Sequence, residues 1–284
     1  MNETVASLAQ RPMALPAWHV AVRWTGASLA AVAWASGALF ALYILAFYGG
    51  ALFDGATGQG IPSEQAPRIW DPAELRASVG IGLHLLAGIV LLALGPIQLV
   101  APLRSRWPSL HRWSGRVYAS AAIVAGAGGL VFILAKGTIG GTPMDIAFAI
   151  YGLALIVAAG SAVRHARARR FDAHRAWAIR LFALVVGSWL YRIEYTAWRV
   201  FAGGLGHTAA FDGPFDTAML YFFFVPNLLL AEAFVRARKN GASWALQAGT
   251  VLAMAGTAAA LAVLTYFLTL RAWGPPIAHR LFGA

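Results

Sequence analysis

Ser78-Val79-Gly80-Ile81-Gly82-Leu83-His84-Leu85-Leu86-Ala87-Gly88-Ile89-Val90-Leu91-Leu92-Ala93-Leu94-Gly95-Pro96-Ile97-Gln98-Leu99-Val100-Ala101-Pro102 contains no charged residue. A bilayer core requires roughly 20 residues of helix, and this run supplies them. It shows no sustained period-2 alternation, so helix is expected and lipid-facing strand is not. Six further segments read the same way: 25–48, 113–135, 146–163, 177–199, 217–235 and 243–270. The expected fold class is all-α, a polytopic membrane bundle of seven transmembrane helices. Arg192 and Glu194 interrupt the fifth segment. Segment 25–48 follows Arg11 and Arg23, is longer than a leader's apolar core and has no small-residue cleavage site soon after it. It reads as a first span and not as a removed signal.

Composition agrees over the 284 residues: 60% are hydrophobic, 12% are charged, and mean hydropathy is +0.66. A soluble domain carries about 25% charged residues to wet its surface. A soluble enzyme and a disordered chain are thereby excluded. The absence of cysteine excludes a disulfide scaffold and cysteine-ligated zinc or iron–sulfur clusters.

The net charge of +11 is unevenly distributed. With the N-terminus in the cytoplasm, alternation places Arg11, Arg23, Arg104, Arg106, Arg112, Arg116, Arg164, Arg167, Arg169, Arg170, Arg175, Arg180, Arg236, Arg238 and Lys239 on the inner side. Asp54, Glu64, Asp71, Glu74, Asp145, Asp212 and Asp216 fall on the other side or in its half of the membrane. The positive-inside rule then predicts N-terminus cytoplasmic and C-terminus periplasmic. The basic excess suits anionic headgroups of the lipid bilayer. Nucleic acid is not an expected partner, because no recognition motif accompanies the charge.

The expected organisation is a cytoplasmic tail over 1–24, one transmembrane domain over 25–270 and a C-terminal tail over 271–284. The one long loop, 49–77, lies on the outer side. Within it, Trp70-Asp71-Pro72-Ala73-Glu74 reads as a helix start, with Asp71 as N-cap and Pro72 at the first helical position. Gly95-Pro96 marks an expected kink in segment two. The run Ala125-Gly126-Ala127-Gly128-Gly129 is expected to serve close helix packing.

Ionisable groups inside a span are costly and face the bundle interior or a wet cavity. The intramembrane polar set is His84, Arg192, Glu194, Asn227 and Glu232. At 1.5 Å rise per residue, His84 and Arg192 lie at matching depths of ~9–10 Å in the outer leaflet. A polar site of His84 with Arg192 or Glu194 follows, holding a proton, a quinone headgroup or a haem propionate. The bland alternative is an Arg192 that snorkels outward and only closes the bundle.

A second constellation lies at the inner side. His111-Arg112-Trp113-Ser114-Gly115-Arg116 and His174-Arg175-Ala176-Trp177-Ala178-Ile179-Arg180 each open an outward-running helix with a His-Arg pair. Both imidazoles fall at one level, where His111 and His174 can ligate a haem iron, with Arg112 and Arg175 on its propionates. The alternative is a set of headgroup anchors. His19, His165, His207 and His279 lie in loops or tails and read as bland.

The run from Leu83-His84 through Leu94-Gly95-Pro96-Ile97-Gln98, followed by Leu110-His111-Arg112-Trp113-Ser114-Gly115-Arg116-Val117-Tyr118, resembles a bacterial family of predicted membrane proteins, domain of unknown function 2306. Ala173-His174-Arg175-Ala176-Trp177-Ala178-Ile179-Arg180, Tyr191-Arg192-Ile193 and Val225-Pro226-Asn227-Leu228-Leu229-Leu230-Ala231-Glu232 fit the same family. The resemblance spans about 78–236 and implies a helical protein of the bacterial inner membrane with no established activity. A more distant similarity is to two-haem cytochrome b proteins, whose helix pairs supply bis-histidine sites. His84 has no histidine counterpart on segment four at its level, so that similarity implies at most the His111/His174 site. The function expected first is transmembrane electron transfer through haem b or with a quinone. The alternatives are a proton-coupled small-molecule transporter or channel, and a non-catalytic membrane subunit.

Overall fold

The computed structural model describes residues 17–46, 72–99 and 101–283. Seven helices in it are long and apolar enough to cross a membrane. They are α1 (Ala17–Ile44), α2 (Leu75–Leu99), α4 (Pro108–Lys136), α5 (Gly141–Arg167), α6 (Phe171–Ala202), the pair α7 (Pro214–Phe222) and α8 (Val225–Ala237), and α9 (Trp244–Leu268). A short α3 (Ala101–Arg106) links α2 to α4, and α10 (Gly274–Phe282) follows α9. No strand occurs among the described residues. All seven expected spans are present as helix, and several run beyond their apolar cores. No water competes for peptide groups in the bilayer, so the helical hydrogen-bond ladder is continued to the interface. Thus α1 already includes Trp18, His19, Arg23 and Trp24. Residues 1–16, Asp71 and most of the loop 49–77 lie outside the described residues.

Two elements differ from the one-helix-per-span expectation. The sixth crossing breaks at Phe223–Phe224, because Pro226 has no N–H for the carbonyl four residues earlier. Asn227 repairs part of the break: its Nδ2 donates to the Phe223 carbonyl at 2.7 Å. The segment 271–284, expected as a tail, is largely helical. A π-helical turn over Thr269–Trp273 leads into α10, and Trp273 packs against Phe40 of α1 with ring centroids 5.5 Å apart. Helix α2 continues through Gly95 to Leu99. Gly95 also serves packing, since a methyl there would lie 3.2 Å from Phe182 and 3.3 Å from Tyr118.

Close crossings set the core. A methyl on Gly80 would lie 2.8 Å from the Gly128 carbonyl oxygen, and one on Gly128 would lie 2.6 Å from that of Gly80. The α2 and α4 backbones therefore touch, which is the packing role expected of the small-residue run. One residue pair further, Gly126 of α4 meets Gly152 of α5 in the same way, with its added methyl 2.8 Å from the Gly152 oxygen. Helix α6 is the most enclosed, burying Leu181, Leu184, Val185, Trp189, Ile193 and Tyr195. No span has more than 44% of its apolar window buried. The remaining apolar surface, including Leu134, Leu252 and Trp24, has lipid as its fitting solvent. The chain is a multi-pass helical membrane protein.

Helices of alternating direction sort the charges into two faces. The basic face gathers the start of α1, the α2–α4 junction, the α5–α6 turn and the end of α8. Arg169 makes the α5–α6 turn with a positive φ of 58°. The opposite face carries the α4–α5 turn, the loop 203–213 and the end of α9.

Candidate functional sites at the two ends of the bundle

On the basic face, α6 rises directly from the turn after α5, which brings His174 against the last turns of α5. His174 Nδ1 lies 2.9 Å from the Ala162 carbonyl. A carbonyl only accepts, so Nδ1 is the donor in this contact. His111, in the first turn of α4, is within electrostatic range of His174 and Arg104. Its buried Nδ1 has no partner among the described residues. Arg112 turns away, donating to Ser109 Oγ at 3.1 Å. Ser114 accepts from Gln98 Nε2 at 2.7 Å and donates to the Leu110 carbonyl at 2.7 Å, tying the end of α2 to α4.

Around these imidazoles stand arginines from four elements. Val22 of α1 and Ala237 of α8 are both wholly buried in one cluster, and Arg23 and Arg238, each the next residue, lie within electrostatic range of one another. Phe234 fills the space over Gly26, and the Arg238 guanidinium lies 5.3 Å above its ring. Burial and then the charges of Arg175, Arg23 and Arg104 hold Arg238 below the usual arginine range. None of the four has a carboxylate partner among the described residues. Glu232 is already taken, by Arg180 at 2.6 Å and by Arg236 at 2.8 Å.

Toward the opposite face, α1, α2, α4, α5 and α6 enclose a cavity of about 40 Å³ whose lining includes His84, Tyr151, Ser188, Trp189 and Arg192. The α2–α4 crossing places His84 here. Its Nδ1 lies 2.9 Å from the Ala125 carbonyl, and a methyl on Gly129 would come within 3.4 Å of that same nitrogen. The hydroxyl of Tyr151 donates to the Leu184 carbonyl at 2.6 Å and that of Ser188 to the Val185 carbonyl at 3.2 Å. Arg192 Nη1 donates to the Ser188 carbonyl at 3.0 Å. Trp189 Nε1 is buried without an acceptor.

Of the intramembrane polar set, the structure thus brings His84 and Arg192 to one cavity. Glu194 is turned about 200° from Arg192 on α6, and its buried Oε2 has no protein partner. Asn227 is occupied at the α7–α8 break, and Glu232 lies at the basic face.

A third constellation was not foreseen. Asp216, 0% exposed, accepts from His207 Nδ1 at 2.7 Å, Tyr195 OH at 2.8 Å, Thr208 N at 3.0 Å and Gly213 N at 3.1 Å. Its carboxylate is fully satisfied and closes the loop 203–213 over the end of α6. A readable signal existed: Asp216 stands three residues after Gly213, where an acid reaches back to the N-cap N–H. Among the described residues, no group of three or more His, Asp or Glu side chains is arranged to hold a metal ion.

The profile of the predicted membrane protein family DUF2306 matches residues 81–235. That stretch contains both histidine sites and the broken sixth crossing. No curated protein and no solved structure matches the chain.

Proposed function

We propose, for a chain that belongs to the predicted membrane protein family DUF2306, a role in carrying electrons at the bacterial inner membrane, with a b-type haem between His111 and His174 and a lipid-soluble quinone as the partner class. The observation that carries this reading is the His174 imidazole, held by its Nδ1 at 2.9 Å from the Ala162 carbonyl. Metal-ligating histidines are oriented in this manner, one ring nitrogen donating to a carbonyl and the other turned to the metal. The donor chemistry fits haem: two imidazoles for the iron, and Arg23, Arg104, Arg175 and Arg238, without carboxylate partners among the described residues, for two propionates. When bound, such a haem supplies a one-electron couple. The chain's own residues would hold it: His174 would fix orientation and the arginines would neutralise the carboxylates. The orientation proposed is N-terminus in and C-terminus out, which puts this site at the cytoplasmic side.

The test is absorbance of the full chain purified from haem-replete cells. The expected result is a Soret band with one haem per chain by pyridine haemochrome, lost in His174→Ala and in His111→Ala. His84→Gln retains it. A purified chain without Soret absorbance overturns the reading.

A further inference from the structure

The cavity at the opposite end of the bundle does not depend on haem at the basic face. Its volume is about 40 Å³, against the ~10–15 Å³ that one water requires. It therefore has room for a small ion. Among the described residues its lining is cationic and holds no carboxylate. A guanidinium is a cationic donor only, and Arg192 forms no ion pair among the described residues. Trp189, 1% exposed, carries an indole N–H with no acceptor among the described residues. The hydroxyl protons of Tyr151 and Ser188 are already engaged by carbonyls. His84 is the remaining polar member, and its Nδ1 is committed to the Ala125 carbonyl.

We propose that this cavity binds one small monovalent anion of halide size, held by Arg192 and the Trp189 N–H, together with a proton on His84. Because Ala125 holds Nδ1–H in place, the neutral ring has only a lone pair on Nε2 to offer an anion, which is repulsive. Protonation converts that nitrogen to a charged donor. The titratable groups lining the cavity with His84 are Tyr151 and Arg192. Of these three side-chain types, imidazole is the one whose ordinary charge change lies nearest neutrality. Anion binding then takes up one proton. By linkage, affinity falls about tenfold per pH unit once His84 is neutral in the free protein.

The experiment is chloride NMR linewidth on the full chain in detergent micelles between about pH 5 and pH 8, the range in which histidine titrates. The expected result is saturable excess broadening that bromide displaces and that grows as pH falls. Many arginines on the basic face also attract chloride, so the variants isolate this site. Arg192→Gln removes the saturable component, Trp189→Phe weakens it, and His84→Gln leaves weak binding without pH dependence. Equal broadening in Arg192→Gln and wild type overturns the proposal, and so does pH dependence that survives His84→Gln. If Arg192→Gln fails to fold by circular dichroism, Arg192→Lys replaces it, with weaker, still pH-dependent binding expected and unchanged binding overturning the proposal. A chain without Soret absorbance leaves these outcomes unchanged, so the two proposals fail separately.

Discussion

Tyr195, His207 and Asp216 show how one buried carboxylate organises its surroundings. Four donors converge on Asp216 at 2.7–3.1 Å, and the Tyr195 ring packs against His207, Phe211 and Phe215. Replacing Asp216 with Asn removes the charge and turns an amide donor toward other donors. Each buried group left unsatisfied costs about 1–3 kcal/mol, so Asp216→Asn is expected to destabilise by about 3 kcal/mol or more. Tyr195→Phe keeps the ring and loses one bond to a charged acceptor, about 1.5–3 kcal/mol. Thermal unfolding by circular dichroism in micelles checks both; equal melting temperatures for wild type and Asp216→Asn would contradict the assignment. Asn227 has a narrower role, satisfying the Phe223 carbonyl where Pro226 interrupts the helix. Asn227→Leu is expected to cost about 1–3 kcal/mol and to leave haem absorbance and chloride binding in place.

At the scale of elements, glycine contacts decide where helices cross. At Gly128 a methyl would press within 2.6 Å of the Gly80 carbonyl oxygen, and rigid backbone cannot yield as a side-chain tip does. Gly128→Ala is therefore expected to separate α2 from α4, costing about 1–3 kcal/mol as overpacking does. The same shift draws His84 from the Ala125 carbonyl, so the pH dependence of chloride binding should weaken with stability. Gly256 in α9 has open space around its Cα, and Gly256→Ala is expected to be neutral or stabilising by up to about 1 kcal/mol. Measured side by side, similar melting temperatures for the two variants would refute the crossing argument. The broken sixth crossing follows the same local logic, since Gly187 of α6 leaves a gap of only 2.9 Å between an added methyl and the Phe223 carbonyl oxygen.

For the whole molecule, charge sorting and helix direction make one statement. Every long helix reverses the chain, and the basic face collects arginines from α1, α3, α4, α5, α6 and α8. Positive segments are retained on the cytoplasmic side during insertion. A phosphatase reporter fused after residue 284 is expected to be active in the periplasm, and a fusion in the α5–α6 turn near Arg169 is expected to be inactive. Activity in the reverse pattern would invert the proposed orientation and move the His111/His174 site to the outer side.

The sequence by itself determined the fold class, the number of crossings and the separation of charge. Each depends on composition over a stretch of about 20 residues, which lipid reads directly. It also marked His84, Arg192, His111 and His174 as unusual, because polar groups at those depths require a reason. Only the tertiary structure decided which of them meet. Azimuth around a helix and the tilt at each crossing come from packing, so residues at one depth share a cavity, as His84 and Arg192 do, or point apart, as Arg192 and Glu194 do. The partners that give these residues meaning are carbonyls of Ala125 and Ala162 and the indole of Trp189. A backbone acceptor leaves no trace in residue identity. Of the four donors on Asp216, only the Gly213 N–H was readable from spacing; Tyr195 comes from α6, and His207 and Thr208 from a loop whose closed path the sequence pattern does not encode.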